Sequence, residues 1–210
     1  MTDNVHVLSH PLAQHKLTLL RNKEVSTRGF RALTHEIGAL LAYEIMRDAA
    51  TKPVSVDTPV GRTEGVELDG KKHAFIAILR AGLGVVDGML SVVPSARVGH
   101  IGLYRDLKLR TSVEYYLKLP GEMDNRDAVV VSSVLASGGS AVAAVDRVLE
   151  SGARSVRFAC LVAAQPGVER FASVHPTVPI YTCAVDPEID GNGFVVPGLG
   201  DAGDRLYGTE

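Results

Sequence analysis

The sequence predicts an α/β fold: an open, mainly parallel sheet with flanking helices, plus N-terminal helices and a small β appendage or hood. Three observations lead there. Apolar runs without alternation recur along the chain, as HAFIAIL, RVGHIGLY, DAVVVSS, VRFACLVA and IYTCAV, and such runs suit strands buried on both faces. Segments of helical period separate several of them, which gives a β-α-β-α order. Glycine-rich or polar turns end the runs, and these are the places where open α/β sheets bind ligands.

In chain order, the first fifth reads as two helices. One lies around Pro11 to Arg21; the other follows Ser26 or Thr27, with Phe30, Leu33, Ile37, Leu40, Leu41 and Ile45 at helical spacing. From Lys52 to Lys72 come short β-prone pieces, VSVDTP and GVEL, broken by Pro53, Pro59, Gly61, Gly65 and Gly70, which predict a hairpin appendage. Helical patterns then recur at Val85 to Val92, Ser140 to Ser151 and Gly167 to Val174. EYYLKLP, after the polar RDLKLRTS, reads as an extra strand or a flap, and GFVVPGLGDAGDRLYGTE as a glycine-rich tail.

The chain has 210 residues, 46% hydrophobic and 22% charged, which predicts a single domain over 1–210. A chain of this length buries roughly 70% of its unfolded surface, so it needs neither disulfides nor a structural metal. Cys160 and Cys183 form no CxxC pair and sit in apolar runs. They read as buried thiols of a reducing, cytoplasmic compartment. A formal charge of −2 offers no general field for a polyanion, so nucleic acid is not expected. The start lacks the order of a signal peptide, and the best apolar stretch, AFIAIL, stops at Arg80. No membrane span or membrane targeting is predicted.

Two glycine-rich turns sit where ligands would bind. The first runs from a strand through Ala136, Ser137, Gly138, Gly139 and Ser140 into a helix. Backbone N–H groups, serine hydroxyls and the helix N-terminus make this an anion site in principle. No lysine follows, which excludes a P-loop, and a tight turn with a serine cap fits the same pattern. The second turn, ILRAGLG, puts Arg80 directly after a buried strand; Arg105 is read as following the strand that ends at Tyr104. A planar guanidinium suits pyrophosphate, although rim salt bridges would also place arginines there.

In the tail, GLGDAG (Gly198 to Gly203) matches GxGxxG in form, but only seven residues follow. Neither a helix of useful length nor a second βα unit can complete a dinucleotide fingerprint. What remains is a loop offering backbone groups to a flat polar ring, with Asp201 facing a sugar, a metal shell or a base, or simply closing a turn. The seven histidines show no ligand spacing and read as structural or solvated. Asp186, Glu188 and Asp190 lack the calcium-loop pattern and read as a polar turn.

Together these segments resemble the uracil phosphoribosyltransferases, of the type I phosphoribosyltransferase class. The likeness covers nearly the whole chain: HPL and HKL, STRGFRAL, ILRAGLG with Asp87, VPSARVGHIGLYRD, YYLKLP, LASGGS, HPTV and, most specific, GFVVPGLGDAGDRLYGT. The resemblance implies transfer of a phosphoribosyl group from 5-phosphoribosyl 1-diphosphate to uracil, giving UMP and diphosphate. Magnesium would be held mainly by the diphosphate, with no metal site made by side chains alone. It implies that Ala136 to Ser140 cradle the 5′-phosphate, with Ser132, Ser133, Val134 and Leu135 also among the binding residues. Arg80 and Arg105 would hold the diphosphate. Val195, Gly200 and Ala202 would read uracil through backbone groups, and Asp201 would face the phosphoribosyl substrate and its magnesium waters. The family also implies a homodimer or higher homo-oligomer and a GTP effector.

The chain departs from the family pattern at three places. Ser132 stands where the family carries an aspartate against the ribose, DLKLRTSVEYY replaces an acidic DEETLEPVEYY, and AAQPG replaces AAPEG. A serine hydrogen-bonds but carries no charge. The alternative function is therefore a catalytically weak relative that binds uracil or nucleotide as a sensor. An RNA-binding regulator on the same fold would need a basic face, for which the sequence offers only a local patch of Arg105, Lys108 and Arg110.

Overall fold

A computed structural model describes residues 4–106 and 111–209. It opens with a strand absent from the sequence reading, β1 (Val5–Val7). Helices α1 (Pro11–Arg21) and α2 (Thr27–Ile45) follow as expected. Pro11 starts α1 at a position where its missing N–H costs nothing, and the Ser26 hydroxyl caps α2 by accepting from Gly29 N. The predicted hairpin is β2 (Thr51–Thr58) and β3 (Gly61–Leu68), which pair only with each other. Next come β4 (Ala74–Leu79), α3 (Gly82–Val92), β5 (Arg97–Asp106) and β6 (Thr111–Lys118). A 3-10 turn, Met123–Asn125, leads to β7 (Asp127–Val131), β8 (Val134–Leu135) and α4 (Gly139–Glu150). The remainder is β9 (Ser155–Ala159), β10 (Val162–Ala164), α5 (Gln165–Val174), β11 (Ile180–Thr182) and β12 (Val185–Asp186). It ends with β13 (Glu188–Ile189), β14 (Val195–Val196) and α6 (Ala202–Tyr207).

The main sheet has the order β1-β11-β9-β7-β4-β5-β6, parallel throughout except for the antiparallel β5–β6 pair. Alternation through the sheet creates two core layers. Phe75, Ala77, Val129 and Val131 pack toward α1, α2 and α3, while Ala74, Ile76, Val130 and Phe158 pack toward α4 and α5. Phe30, Phe75, Phe158 and Phe171 are all at most 1% exposed; burying each contributes roughly 1.5–3 kcal/mol. No helix among the described residues is long and apolar enough to cross a membrane.

Three of the apolar runs are not single strands. Each breaks after its first half, at Ser132–Ser133, Cys160–Leu161 and Cys183–Ala184, and the second halves pair as a separate parallel sheet, β12-β10-β8. Backbone bonds carry the ladder through the bends: Ser132 N to Ala159 O (3.0 Å), Leu161 N to Ser133 O (3.0 Å) and Cys183 N to Leu161 O (3.1 Å). These bonds pair backbone groups inside the bends, so the kinks can lie in the interior.

Two further expectations change. Arg105 does not follow a strand; its backbone lies within β5, opposite Ser112 of β6, because the β5–β6 ribbon continues past the end of β4 at the Leu79–Gly102 pair. Lys108 and Arg110 lie outside the described residues. The tail does form a helix: α6 is short, but Asp201 caps its start and Gly208, at φ +67°, ends it.

Both cysteines are buried, and burial pushes each thiol up to about 12. A thiol reagent at pH 8 is expected to leave the folded chain untouched and to react at both positions once denaturant exposes them. Release of the reagent's chromophore measures this directly.

Candidate active site

The carboxyl ends of β4 and β7, the start of β8 and the tail enclose a cleft of about 280 Å³. It brings together Arg80, Ser132, Ser133, Val134, Ala136, Val195, Gly200, Asp201 and Ala202, residues drawn from three distant stretches of chain. Leu135 sits elsewhere: it is 1% exposed and packs in the α4–α5 core layer.

The loop from Ala136 to Gly139 turns into α4 at Gly138, which adopts φ +81° as the residue before the helix. With glycine there, the residue before the helix makes no side-chain cap, unlike the serine-capped turn that the sequence pattern also allows. A helix N-terminus is polarised to receive an anion. Helix α5 supports the loop from beneath. A Cβ on Gly167 would lie 2.0 Å from Ala136 O, so the two segments touch backbone to backbone. Arg170 Nη1 reaches toward Ser137 O at 3.5 Å. Sequence reasoning assigned Gly167 and Arg170 no part in the site; the glycine ending AAQPG was their only signal.

Ser132 borders the cleft and its Oγ donates to Val134 O at 3.1 Å. Ser133 is buried, and its carbonyl is held by Leu161 N. Arg80 is half exposed, with Nη2 3.1 Å from Asp204 Oδ1 and its guanidinium over the Tyr207 ring at 5.7 Å. Tyr207 Oη donates to Arg80 O at 3.2 Å. Hydrogen bonds from Thr209 and then from Arg80 hold the Asp204 carboxyl below its ordinary range.

The tail is held in place by several anchors. Gly198 takes φ +55°, and a Cβ there would meet Val195 O at 2.0 Å, so only glycine fits this turn. Asp201 accepts from Asp204 N at 3.0 Å as the cap of α6. Arg205 donates to Leu199 O (2.8 Å) and Asn22 O (2.6 Å) and lies over the Phe30 ring at 4.4 Å; burial lowers its pKa.

Asp186 corrects the expected polar turn. It ends β12, is 5% exposed, and receives both arms of Arg21 together with Gly198 N. Asp190 does form a turn, accepting from Asn192 N and Phe194 N. Among the described residues, no cluster of three His, Cys, Asp or Glu side chains could cage a cation.

This arrangement agrees with what the chain resembles. A family model for uracil phosphoribosyltransferase matches residues 7–209. The uracil phosphoribosyltransferase of Rhodococcus jostii (strain RHA1) is 54% identical over 206 residues, covering 98% of this chain and 99% of that protein. The solved structure of an Aquifex aeolicus protein matches with a TM-score of 0.92 at 34% identity, covering 98% of this chain and 99% of that one. An adenine phosphoribosyl transferase from Trypanosoma brucei, at 13% identity and a TM-score of 0.59 over 87% of this chain and 84% of its own, shares the fold alone. With the family model spanning almost every residue, and Ala136 at the head of the glycine loop meeting Arg80 and the tail in one cleft, the chain belongs to the uracil phosphoribosyltransferase family.

Proposed function

We propose that this chain transfers the phosphoribosyl group of 5-phosphoribosyl 1-diphosphate to uracil, yielding UMP and diphosphate in pyrimidine salvage. The observation that carries this reading is the cleft, where Ala136 at the head of the glycine loop, Arg80 and a backbone-rich tail converge. The bond from ribose C1 to the diphosphate oxygen breaks, its electron pair leaves with the diphosphate, and uracil N1 bonds to C1 and releases its proton. Positive charge develops on the ribose and negative charge on the leaving group.

Ala136 to Ser140 anchor the 5′-phosphate and so fix C1 against the base. Arg80 and Arg105 hold the diphosphate. Backbone groups of Val195, Gly200 and Ala202 match the donor and acceptor edge of uracil, and cytosine would leave such groups unpaired. Asp201 borders the phosphoribosyl substrate. Magnesium fits as an ion carried mainly by the diphosphate, since the carboxylates at the cleft edge are single groups already engaged, Asp201 with α6 and Asp204 with Arg80. When bound, it neutralises charge on the diphosphate. Homodimer formation belongs to the same reading and is supported by the hairpin, whose Val60 and Val66 are 98% and 72% exposed.

The experiment is UMP formation from uracil, 5-phosphoribosyl 1-diphosphate and magnesium, run in parallel with Ser132→Asp. The chain is expected to make UMP, and the variant to turn over about tenfold faster, because a carboxylate cannot donate to Val134 O and would turn its charge toward the cleft. If Ser132→Asp makes UMP and the chain itself makes none, the enzyme reading fails and a binding role replaces it.

A further inference from the structure

Asp186 and Arg21 form a closed set of bonds around Gly198. Arg21 Nη1 and Nη2 each reach an Asp186 oxygen at 2.7 Å, Arg21 Nη1 also donates to Gly198 O at 2.9 Å, and Gly198 N donates to Asp186 Oδ2 at 2.9 Å. Both polar groups of the Gly198 backbone are therefore taken by one ion pair, whose carboxylate is buried. A buried carboxylate persists only when paired and hydrogen-bonded, and here every bond it receives comes from Arg21 or from the tail.

Location gives this pair its significance. Arg21 ends α1 and Asp186 ends β12, while Gly198 stands between Val195 and Gly200, which border the cleft. Glycine has no side chain by which the loop could be anchored, so its backbone is the only handle. Ala164 of β10 pairs with Asp186, and β10 pairs with β8, which runs straight into the phosphate loop. The ion pair thus ties the tail to the same small sheet that carries the phosphate loop.

We infer that Arg21 and Asp186 are positioning residues for base recognition: they set where the backbone of Val195 and Gly200 meets uracil relative to the bound phosphate. This rests on the base-reading role proposed above for the tail. A substitution that keeps charge but removes the fork should loosen the base site and leave the phosphate site intact.

The test measures calorimetric affinities of UMP and of ribose 5-phosphate for the full chain, for Arg21→Lys and for Asp186→Asn, with thermal midpoints alongside. UMP needs both sites, and ribose 5-phosphate only one. The variants are expected to bind UMP about tenfold more weakly while ribose 5-phosphate stays within about twofold. Equal losses for both ligands, or no loss for either, would overturn the positioning role. Arg21→Lys, the milder change, carries the test should Asp186→Asn fail to fold. If the unaltered chain binds UMP no better than ribose 5-phosphate, the base-reading role itself falls, a result distinct from failure of the ion pair.

Discussion

Gly167→Val is expected to lower kcat/KM for 5-phosphoribosyl 1-diphosphate by at least about 100-fold, although residue 167 touches no substrate. An added Cβ would sit 2.0 Å from Ala136 O and 2.9 Å from Leu135 O. Ordinary contact needs more than 3 Å, so α5 and the phosphate loop must separate by about 1 Å, the scale of displacement that costs two orders of magnitude in rate. Backbone lines both sides of the contact, and no flexible side chain can give way. The control is Gly121→Ala, since a Cβ at Gly121 meets nothing within 4 Å. Steady-state kinetics on both variants, with thermal midpoints, separate loop displacement from unfolding. Unchanged kinetics for Gly167→Val would show that the loop does not hold the phosphate.

Arg80→Ala is expected to lower kcat/KM for 5-phosphoribosyl 1-diphosphate by about 10²- to 10³-fold, the loss typical of removing a charged group aimed at a developing anion. The KM for uracil should hardly move, because Arg80 makes no bond to Val195, Gly200 or Ala202 among the described contacts. Stability should also change little, since the Arg80–Asp204 pair lies at the surface, where solvent screens such pairs. Arg80→Lys is expected to recover only part of the loss: it restores a point charge without the fork that grips two oxygens. Initial rates at varied concentrations of each substrate check all three statements, and an unchanged KM for the diphosphate donor would rule out this role for Arg80.

Much of the architecture was legible because apolar runs and glycine turns alternate along the chain. AFIAIL is buried at its first five positions, as an unalternated run should be, and the predicted α1 coincides with the observed helix. The strand breaks were not legible. In VRFACLVA every residue but Arg157 is apolar or small, and such a run looks the same whether it pairs in one sheet or bends into two. β1 was missed because three residues cannot establish a period. The extent of β5 was misjudged because its last residues are polar and pair only with β6.

The candidate site was drawn from local motifs, and of these the structure brings Ala136, Arg80 and the tail to one cleft. Its supports were not, because each acts across the fold. Asp186 looks like a turn residue until Arg21, far off in sequence, is brought beside it. Gly167 becomes informative only once Ala136 O is known to face it.

The bent strands separate two tasks that the reaction joins. β8 leads to the loop proposed for the sugar phosphate, whereas β12 and Arg21 hold the segment proposed for the base, and β10 lies between them. On the base-reading role proposed for the tail, base preference would be redesigned by rewriting the stretch between Asp186 and α6 while the other half stays as inherited. Exchanging that stretch between paralogues is the natural unit for engineering a new nucleobase, and Asp186 marks the seam at which to cut.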